Sequence, residues 1–409
     1  MRTGWTIKTV SEVATHSLGK MLDKAKNQGD PKPYLRNFNV RWFDFDLSDV
    51  QEMRFQKEEQ DRYSIIKGDL VICEGGYPGR AAIWDKDEPV YFQKALHRVR
   101  FNEPERAKWL LYYLYAKDLD GSLKRHFNGA GIQHFTGEAL AQFKLPLPSL
   151  GEQHRIVAIL DEAFEGIATA KANTEKNLQN ARAIFESHLQ SVLSQRGAGW
   201  VEKRLDEICT FSSGGTPSKQ NASYWAGKIP WISGRDMKST RLSDSYLHIS
   251  KAAVEESATR MAPPGTLLIL VRGMGLAHGA QIGELMVPSA FNQDIRGIHP
   301  TPELLPRYLL FALRDGINSS DTVLSNAAHG TLKIDSNELQ KVMIPFPPLK
   351  QQQRIVATID TLVEESENLA KIYERKLAAL DALKQSLLHR AFAGELTVGM
   401  PSELIEAVA

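Results

Sequence analysis

Four blocks of this sequence occur twice in the same order, so the chain folds as something built twice. Gly4–Val13 (GWTIKTVSEV) returns as Gly199–Ile208 (GWVEKRLDEI), an offset of 195 residues. The block from Arg62 (RYSIIKGDLVI) pairs with the block from Arg260 (RMAPPGTLLIL), placing Gly68 over Gly265 at an offset of 197 across a one-residue gap. Lys108–Leu114 (KWLLYYL) matches Arg307–Leu313 (RYLLFAL), and Leu145–Asp161 (LPLPSLGEQHRIVAILD) matches Ile344–Asp360 (IPFPPLKQQQRIVATID), both at 199. Collinear blocks whose offset drifts so little mark a duplication. At 409 residues the chain also exceeds the size at which one hydrophobic core stops growing, so each copy has room for its own.

The copies divide the chain into a globular domain at 1–150, a helix at 151–197, a second globular domain at 198–349, a second helix at 350–396 and a tail at 397–409. Ser194–Gly199 (SQRGAG) is the link that resets the chain. Proline-containing segments at Leu145–Pro148 and Ile344–Pro348 end each domain, because proline lacks a backbone donor and biases its predecessor away from helix. Behind them Ile156, Leu160, Phe164, Ile167, Leu178, Ala181, Phe185, Leu189 and Val192 recur mostly at three-and-four spacing. Ile355, Ile359, Leu362, Leu369, Tyr373, Leu377, Leu380, Leu383 and Leu387 do the same. The spacing predicts helices of about 40 residues, roughly 60 Å long.

A helix of that length with one apolar stripe needs a partner. The economical partner is the other copy, packed antiparallel. The alternative is that each helix wraps its own domain, but a domain of this size is only about 30 to 40 Å across. The predicted fold class is therefore α+β: two mixed α/β globular domains separated by two long antiparallel helices forming a coiled coil, with an internal pseudo-two-fold repeat. Within the domains, strands are expected at Leu70–Ile72, Val90–Phe92, Thr266–Val271 and Lys341–Phe346, and a core helix at Trp109–Leu114 and again at Tyr308–Leu313.

Composition narrows the function. Fifty Lys and Arg against forty-nine Asp and Glu give a formal charge of +1, which argues against a histone-like non-specific binder and leaves room for local basic surfaces. Cys73 and Cys209 sit in apolar surroundings in different halves, suiting buried thiols in a reducing compartment. With no signal-peptide stretch and no long apolar run, a cytoplasmic protein without membrane association is expected. Motifs for metalloproteases, serine hydrolases, nucleotide loops, methyltransferases and nucleases are missing, and the histidines are scattered. Ser212–Ser218 (SSGGTPS) lacks the ending of a phosphate loop and reads as a flexible loop; Val271–Gly275 (VRGMG) reads as a tight turn bearing a basic residue. The pattern favours a binding module.

Donor-rich segments stand at comparable places in the two domains: Lys32–Trp42 (KPYLRNFNVRW) and Ile229–Arg241 (IPWISGRDMKSTR), aligned through Pro33 with Pro230 and Tyr34 with Trp231. Arg36, Asn37, Asn39 and Arg41 supply forked donors and amides suited to purine edges or phosphates, and Arg235, Asp236, Lys238 and Arg241 do so in the second copy. Glycine-flanked Arg80 and Arg272 are further candidates. For packing, Ile156, Leu160, Phe164, Ile167, Phe185, Leu189, Ile355, Ile359, Tyr373, Leu377, Leu380 and Leu387 are the expected contacts.

The paired helix-opening blocks, Gly214–Met237 (GGTPSKQNASYWAGKIPWISGRDM) and Leu383–Leu396 (LKQSLLHRAFAGEL) together resemble the specificity subunit of type I restriction-modification systems, over nearly the whole chain. The family's helix-opening positions fall on Gln153, Arg155, Ile156 and Val157 and on Gln352, Arg354, Ile355 and Val356; its recognition loop falls on Gly215, Thr216, Pro217 and Trp231 and brings Thr216 and Lys219 among the candidates. The first domain departs from that loop, reading HSLGKMLDKAKNQGDPKPYLRNFNV.

The resemblance implies two target recognition domains, each touching one half of an interrupted, asymmetric sequence in double-stranded DNA. The helices would act as spacers, holding half-sites roughly 34 to 36 Å apart, one helical turn. Two modification (methyltransferase) subunits binding S-adenosylmethionine and restriction (motor-nuclease) subunits using ATP and magnesium would dock on the chain, which itself would bind no cofactor or metal and carry no catalytic residue. A scaffold without sequence preference is the competing class.

Overall fold

The computed structural model describes residues 4–398 apart from 24, 196, 274–275, 277–278, 319–322 and 327–331. Arg196 of the expected link, Met274 and Gly275 of VRGMG, His329 and the tail from 399 onward lie outside the described residues. Two compact units result: residues 1–176 with 373–409, and residues 177–372. Each holds one globular head and half of each long helix.

In the first unit, Thr6–Thr9 pairs antiparallel with Lys144–Leu147 and ties the start of the head to its end. One four-stranded sheet runs Ala14–Leu18, Leu96–Phe101, Leu70–Cys73, Ala81–Ile83; the other runs Gln51–Phe55, Asp30–Leu35, Val90–Phe92, Ser64–Ile65. Leu70–Cys73 is buried along its whole length, as an apolar run flanked on both sides by strands must be. The core helix Arg106–Leu119 buries Trp109, Leu110 and Leu114 completely.

The second head repeats the plan. Val201–Arg204 pairs with Met343–Phe346. One sheet runs Cys209–Ser213, Ile295–Pro300, Leu267–Leu270, Ile282–Leu285, Arg241–Leu242, the last being an addition, and the other runs Leu247–Ile249, Ile229–Ile232, Ser289–Phe291, Met261–Ala262. Its core helix is Pro306–Asn318. The repeat extends to single hydrogen bonds: the Trp109 indole N–H donates to the Pro146 carbonyl at 2.8 Å, and the Tyr308 hydroxyl donates to the Pro345 carbonyl at 2.7 Å. A buried aromatic with a polar tip needs such a partner, and in both heads the closing proline strand supplies it.

The long helices are Leu150–Ser194 and Leu349–Ala393. Each start is pinned by a buried glutamine: Gln153 Nε2 donates to the Pro148 carbonyl at 2.9 Å, and Gln352 Nε2 to the Pro347 carbonyl at 2.9 Å. In the first unit Ile156 and Leu160 are fully buried with Leu388 and Ala391 in the head's own core, flanked by Phe164 and Leu387. Lys171 bridges to Asp381 at 2.7 Å. In the second unit Leu189 and Leu193 share a core with Ile359, flanked by Phe185 and Ile355.

The start of each helix therefore meets the end of the other, and the two pack together antiparallel. Their first turns also enter the core of the head they follow, where each fully buried Ile or Leu contributes about 1.5–3 kcal/mol. Ile167 is buried, whereas Tyr373, Leu377 and Leu380 are half-buried and Leu369 is exposed. A pair of helices in isolation covers only a narrow seam. Half-buried Lys384 lies over the rings of Phe164 and Tyr115, 4.5 and 4.8 Å from their centroids. Burial, with Lys171 adding to it, pulls the pKa of that ammonium down against the pull of Asp381.

Candidate nucleic-acid interface

In each head one strand of the second sheet leads into a turn, and both turns are closed the same way. After Asp30–Leu35 the Asn39 amide donates to the Arg36 carbonyl at 2.9 Å, while Asn39 Oδ1 accepts the Arg36 N–H at 2.9 Å. After Ile229–Ile232 the Asp236 N–H donates to the Ser233 carbonyl at 2.9 Å, and Asp236 Oδ2 accepts the Ser233 N–H at 2.9 Å. An Asn or Asp three residues on is the side chain that closes such a turn locally.

Each strand also pairs in parallel with a partner, Tyr34 with Tyr91 and Trp231 with Ala290. The following turns at 93–95 and 292–294 therefore emerge at the same end of the sheet.

The turns present different groups. In the first head Phe38 is 54% exposed at the tip, with the guanidinium carbons of Arg41 and Arg36 at 5.1 and 5.9 Å from its ring centroid. Arg36 reaches the Asp49 carboxylate at 2.7 Å and Arg41 the Asp46 carboxylate at 3.1 Å, so both are held and partly neutralised. The Ser48 hydroxyl and N–H, joined by Arg41, hold the Asp46 carboxyl below its usual range.

Asn37 donates to the Gly75 carbonyl at 3.1 Å and accepts Arg80 Nη2 on its own carbonyl at 3.0 Å, binding the loop at 74–80 to the turn. Gly76 has φ +79, which favours glycine, and a Cβ there would lie 2.1 Å from Asn37 Nδ2 and displace that amide from the junction. Arg80 stacks 5.0 Å from the centroid of exposed Tyr77.

Asn39 stands apart from the other candidates. It is fully buried, and its Nδ2 donates to the carbonyls of Asp46 and Asp49 at 2.9 Å each. Both of its side-chain N–H donors are spent inside the loop, so it shapes the turn and offers no donor to a ligand. The amide counted as a reader in the sequence is thus a frame residue, because the loop at 44–50 folds back over it.

In the second head the exposed tip is Arg235, whose guanidinium carbon lies 3.6 Å from the ring centroid of Tyr246, itself 64% exposed. The Tyr246 N–H donates to Asp236 Oδ1 at 2.8 Å, which holds the pair together. Asp236, like Asn39, closes its turn, but it keeps part of its surface exposed. Lys238 is exposed beside it, and Lys219 is exposed beyond buried Pro217. The Thr216 hydroxyl donates to Gln293 in the 292–294 turn, and Arg272 faces Asp294 at 3.6 Å with most of its side chain exposed.

The expected flexible loop at 212–218 is instead packed. A Cβ on Gly214 would lie 2.1 Å from the Asn292 carbonyl oxygen and one on Gly215 2.5 Å from that of Ala258. The Gly215 carbonyl also accepts the Trp231 indole at 3.0 Å and the Thr259 hydroxyl at 3.1 Å. The glycines permit close backbone approach, which single-sequence composition does not distinguish from looseness.

The first head has the same device in disguise. Gly19 approaches the Gln93 carbonyl so closely that a Cβ would lie 2.3 Å away. The Lys20 N–H donates to the Phe92 carbonyl, as that of Gly215 does to Phe291. Buried Lys20 then reaches Glu59 at 2.5 Å. Sequence reasoning also passed over Phe38, Tyr77 and Tyr246; the signal available was an aromatic within a few residues of an arginine, Arg36 and Arg41 for Phe38, Arg80 for Tyr77 and Arg241 for Tyr246.

Among the described residues no helix is long and apolar enough to cross a membrane, and no set of three or more His, Cys, Asp or Glu side chains is placed to hold a metal ion.

This is a class of duplicated protein in which two heads share one framework and each ends in a differently furnished polar and aromatic turn. The model of the type I restriction modification DNA specificity domain matches residues 2–180 and again 198–375, and the chain belongs to that family.

The type I restriction enzyme EcoDI specificity subunit of Escherichia coli is 36% identical over 327 residues, covering 72% of this chain and 71% of that protein. The EcoR124I/EcoR124II specificity subunit of Escherichia coli is 33% identical over 230 residues, 54% of this chain; the match spans only 55% of that relative's length. A solved chain from work on complex assembly and conformational transition of the type I R-M system superposes with a TM-score of 0.76 at 22% identity, covering 97% of this chain and 99% of the other, a likeness of fold.

Proposed function

We propose that this chain is the sequence-specific DNA-recognition subunit of a type I restriction-modification complex. Each head reads one half of a bipartite, asymmetric target, and the paired long helices set the unread spacer. The reading is carried by one observation: both heads build the same capped turn and mount different residues on it, Phe38 with Arg36 and Arg41 in one, Arg235 with Tyr246 in the other. Identical heads related by an internal two-fold would read a palindrome, whereas unlike tips on like frames read two different halves.

In this reading the domains are 1–150 and 198–349 and the spacers 151–197 and 350–396. Arg36, Asn37, Arg41, Arg80, Thr216, Lys219, Arg235, Lys238 and Arg272 face DNA, with phosphate contacts fixing register and base contacts giving sequence. The chain itself is non-catalytic. Two modification subunits bring S-adenosylmethionine and the methylating chemistry, restriction subunits bring ATP- and magnesium-dependent translocation and cleavage, and the assembly works in the cytoplasm, where its DNA is.

The test is selection of binding sites from randomised duplex DNA by the assembled complex. Two unlike conserved half-sites around a constant-length gap are expected; a complex that enriches no sequence overturns the reading in favour of a scaffold. Inserting about four residues, one turn, into both helices, near Lys176 and near Tyr373, should lengthen the accepted gap and leave both half-sites unchanged. Changed half-sites with an unchanged gap would overturn the spacer role.

A further inference from the structure

Both copies of the helix-opening block end on an aspartate that the reading turns leave unused: Asp161 in RIVAILD and Asp360 in RIVATID. Each faces the core helix of its own head. Asp161 accepts Lys108 Nζ at 2.5 Å and the Tyr112 hydroxyl at 2.6 Å. Asp360 accepts Arg307 through Nε at 2.9 Å and Nη2 at 2.8 Å, and Arg307 occupies the place of Lys108 in the repeat.

Beyond that shared pair, both networks continue to the segment that follows the reading turn. In the second head Arg307 Nη1 donates to the Thr240 hydroxyl at 3.1 Å, and Arg241 reaches Asp360 Oδ2 at 3.3 Å. Thr240 and Arg241 lie two and three residues after Lys238, and the Thr240 carbonyl accepts the Glu284 N–H at 3.0 Å.

In the first head Tyr112 packs 5.1 Å from Phe43, which follows Arg41 and also meets Tyr115 at 5.0 Å and Phe164 of the same long helix at 6.1 Å. Phe43 has φ +66, a conformation a bulky residue keeps only where its surroundings over-determine it. Burial, and then the bond to Asp161, raise the pKa of the Tyr112 hydroxyl, which stays a proton donor to the carboxylate.

We propose that Asp161 and Asp360 are positioning residues for sequence reading: from the long helix, each fixes the base of its own head's reading turn. Asp360 acts through Arg307 on Thr240 and directly on Arg241, and Asp161 acts through Tyr112 on Phe43. This rests on the heads being DNA readers. An exposed Lys–carboxylate pair alone contributes little. The force of the arrangement lies in the parts removed from water: the Arg307 guanidinium, which sets two nitrogens on Asp360 Oδ1 with only 11% of its side chain exposed, and the buried tyrosine. A reading group must be held to within about half an ångström, and such supporting contacts supply that precision.

Asp360→Asn and Asp161→Asn are each assembled with the modification subunits, and binding is measured on duplexes carrying single base changes in either half. The expected result is a loss of about tenfold in discrimination within one half for one variant and within the opposite half for the other, a single mismatch being worth roughly 5- to 150-fold. Gap length and affinity for unrelated DNA stay unchanged. Thr240→Val and Tyr112→Phe remove one hydroxyl each and should repeat the pattern more weakly at an unaltered melting temperature, which separates positioning from misfolding. Discrimination kept in both halves by all four variants, or affinity lost evenly on every duplex, overturns the positioning role. A wild-type complex indifferent to sequence removes the reading function itself, and this role with it.

Discussion

The turn at Arg36–Asn39 and the turn at Ser233–Asp236 share a backbone, a cap and a place at the end of a parallel strand pair, yet hardly a side chain at the tip is the same. The first offers an apolar ring between two arginines already engaged by aspartates; the second offers an arginine lying on a ring. What the duplication preserved is the means of holding a tip, and what it released is the tip. The caps differ too. Asn39 is sealed in and donates to two carbonyls, whereas Asp236 accepts from Ser233 and Tyr246 and stays partly open.

Exchanging the caps tests this most severely. Asn39→Asp sets a carboxylate against the carbonyls of Asp46 and Asp49 in a fully buried site and should lower stability by at least about 2 kcal/mol. Asp236→Asn turns one amide N–H toward a single donor in a more open site and should lower it by about 1 kcal/mol. Denaturant unfolding reads both, and equal losses would show that the turns are held alike. Next in size, Arg235→Ala should reduce base discrimination in one half-site by roughly 5- to 150-fold if the guanidinium makes a bidentate base contact. A uniform loss on all DNA with a shallower salt dependence would instead mark a phosphate contact. Phe38→Ala should act on the opposite half by about two- to fivefold, an apolar contact being weaker than a forked one. Both variants acting on one half would break the comparison.

The thiols give the smallest effect. Burial pushes Cys73 up to about 11 and Cys209 up to about 12. Thiolates are the reactive species, so neither should be alkylated at pH 8 until the protein unfolds. Because both folded values lie above the unfolded one, whatever stability these thiols contribute is intact below the unfolded pKa and is lost progressively as pH rises from there to about 11 for Cys73 and about 12 for Cys209. Cys73 Sγ lies 3.7 Å from the Asn37 carbonyl behind the Arg36–Asn39 turn, so Asn39→Asp should expose Cys73 to reagent and leave Cys209 protected. Equal labelling of the two would show that the damage is not confined to that turn.

Much of this fold was legible in the residues alone. Repeated blocks, a three-and-four apolar period without proline and the Pro-rich strands before each helix give two heads and two antiparallel helices, because these are local or periodic signals that do not depend on what lies opposite. The candidate interface was legible only as segments. Arg36, Asn39 and Asp236 look alike in the sequence as polar turn residues, yet one is clasped by Asp49, one is sealed beneath the loop at 44–50, and one closes its turn half in the open. The glycines at 19, 214 and 215 resemble flexible punctuation until the backbones they touch are known.

By itself, then, the sequence determined that this protein is a doubled structure on long helices with a donor-rich turn in each copy. Only the tertiary structure decided which turn residues face outward, that Phe38 and Tyr246 stand among them, and that Asp161 and Asp360 reach from the long helices to the core helix of each head. The physical reason is that the fate of a polar side chain depends on partners brought to it from elsewhere in the chain, as Asp360 is to Arg241, and no periodicity records such a meeting.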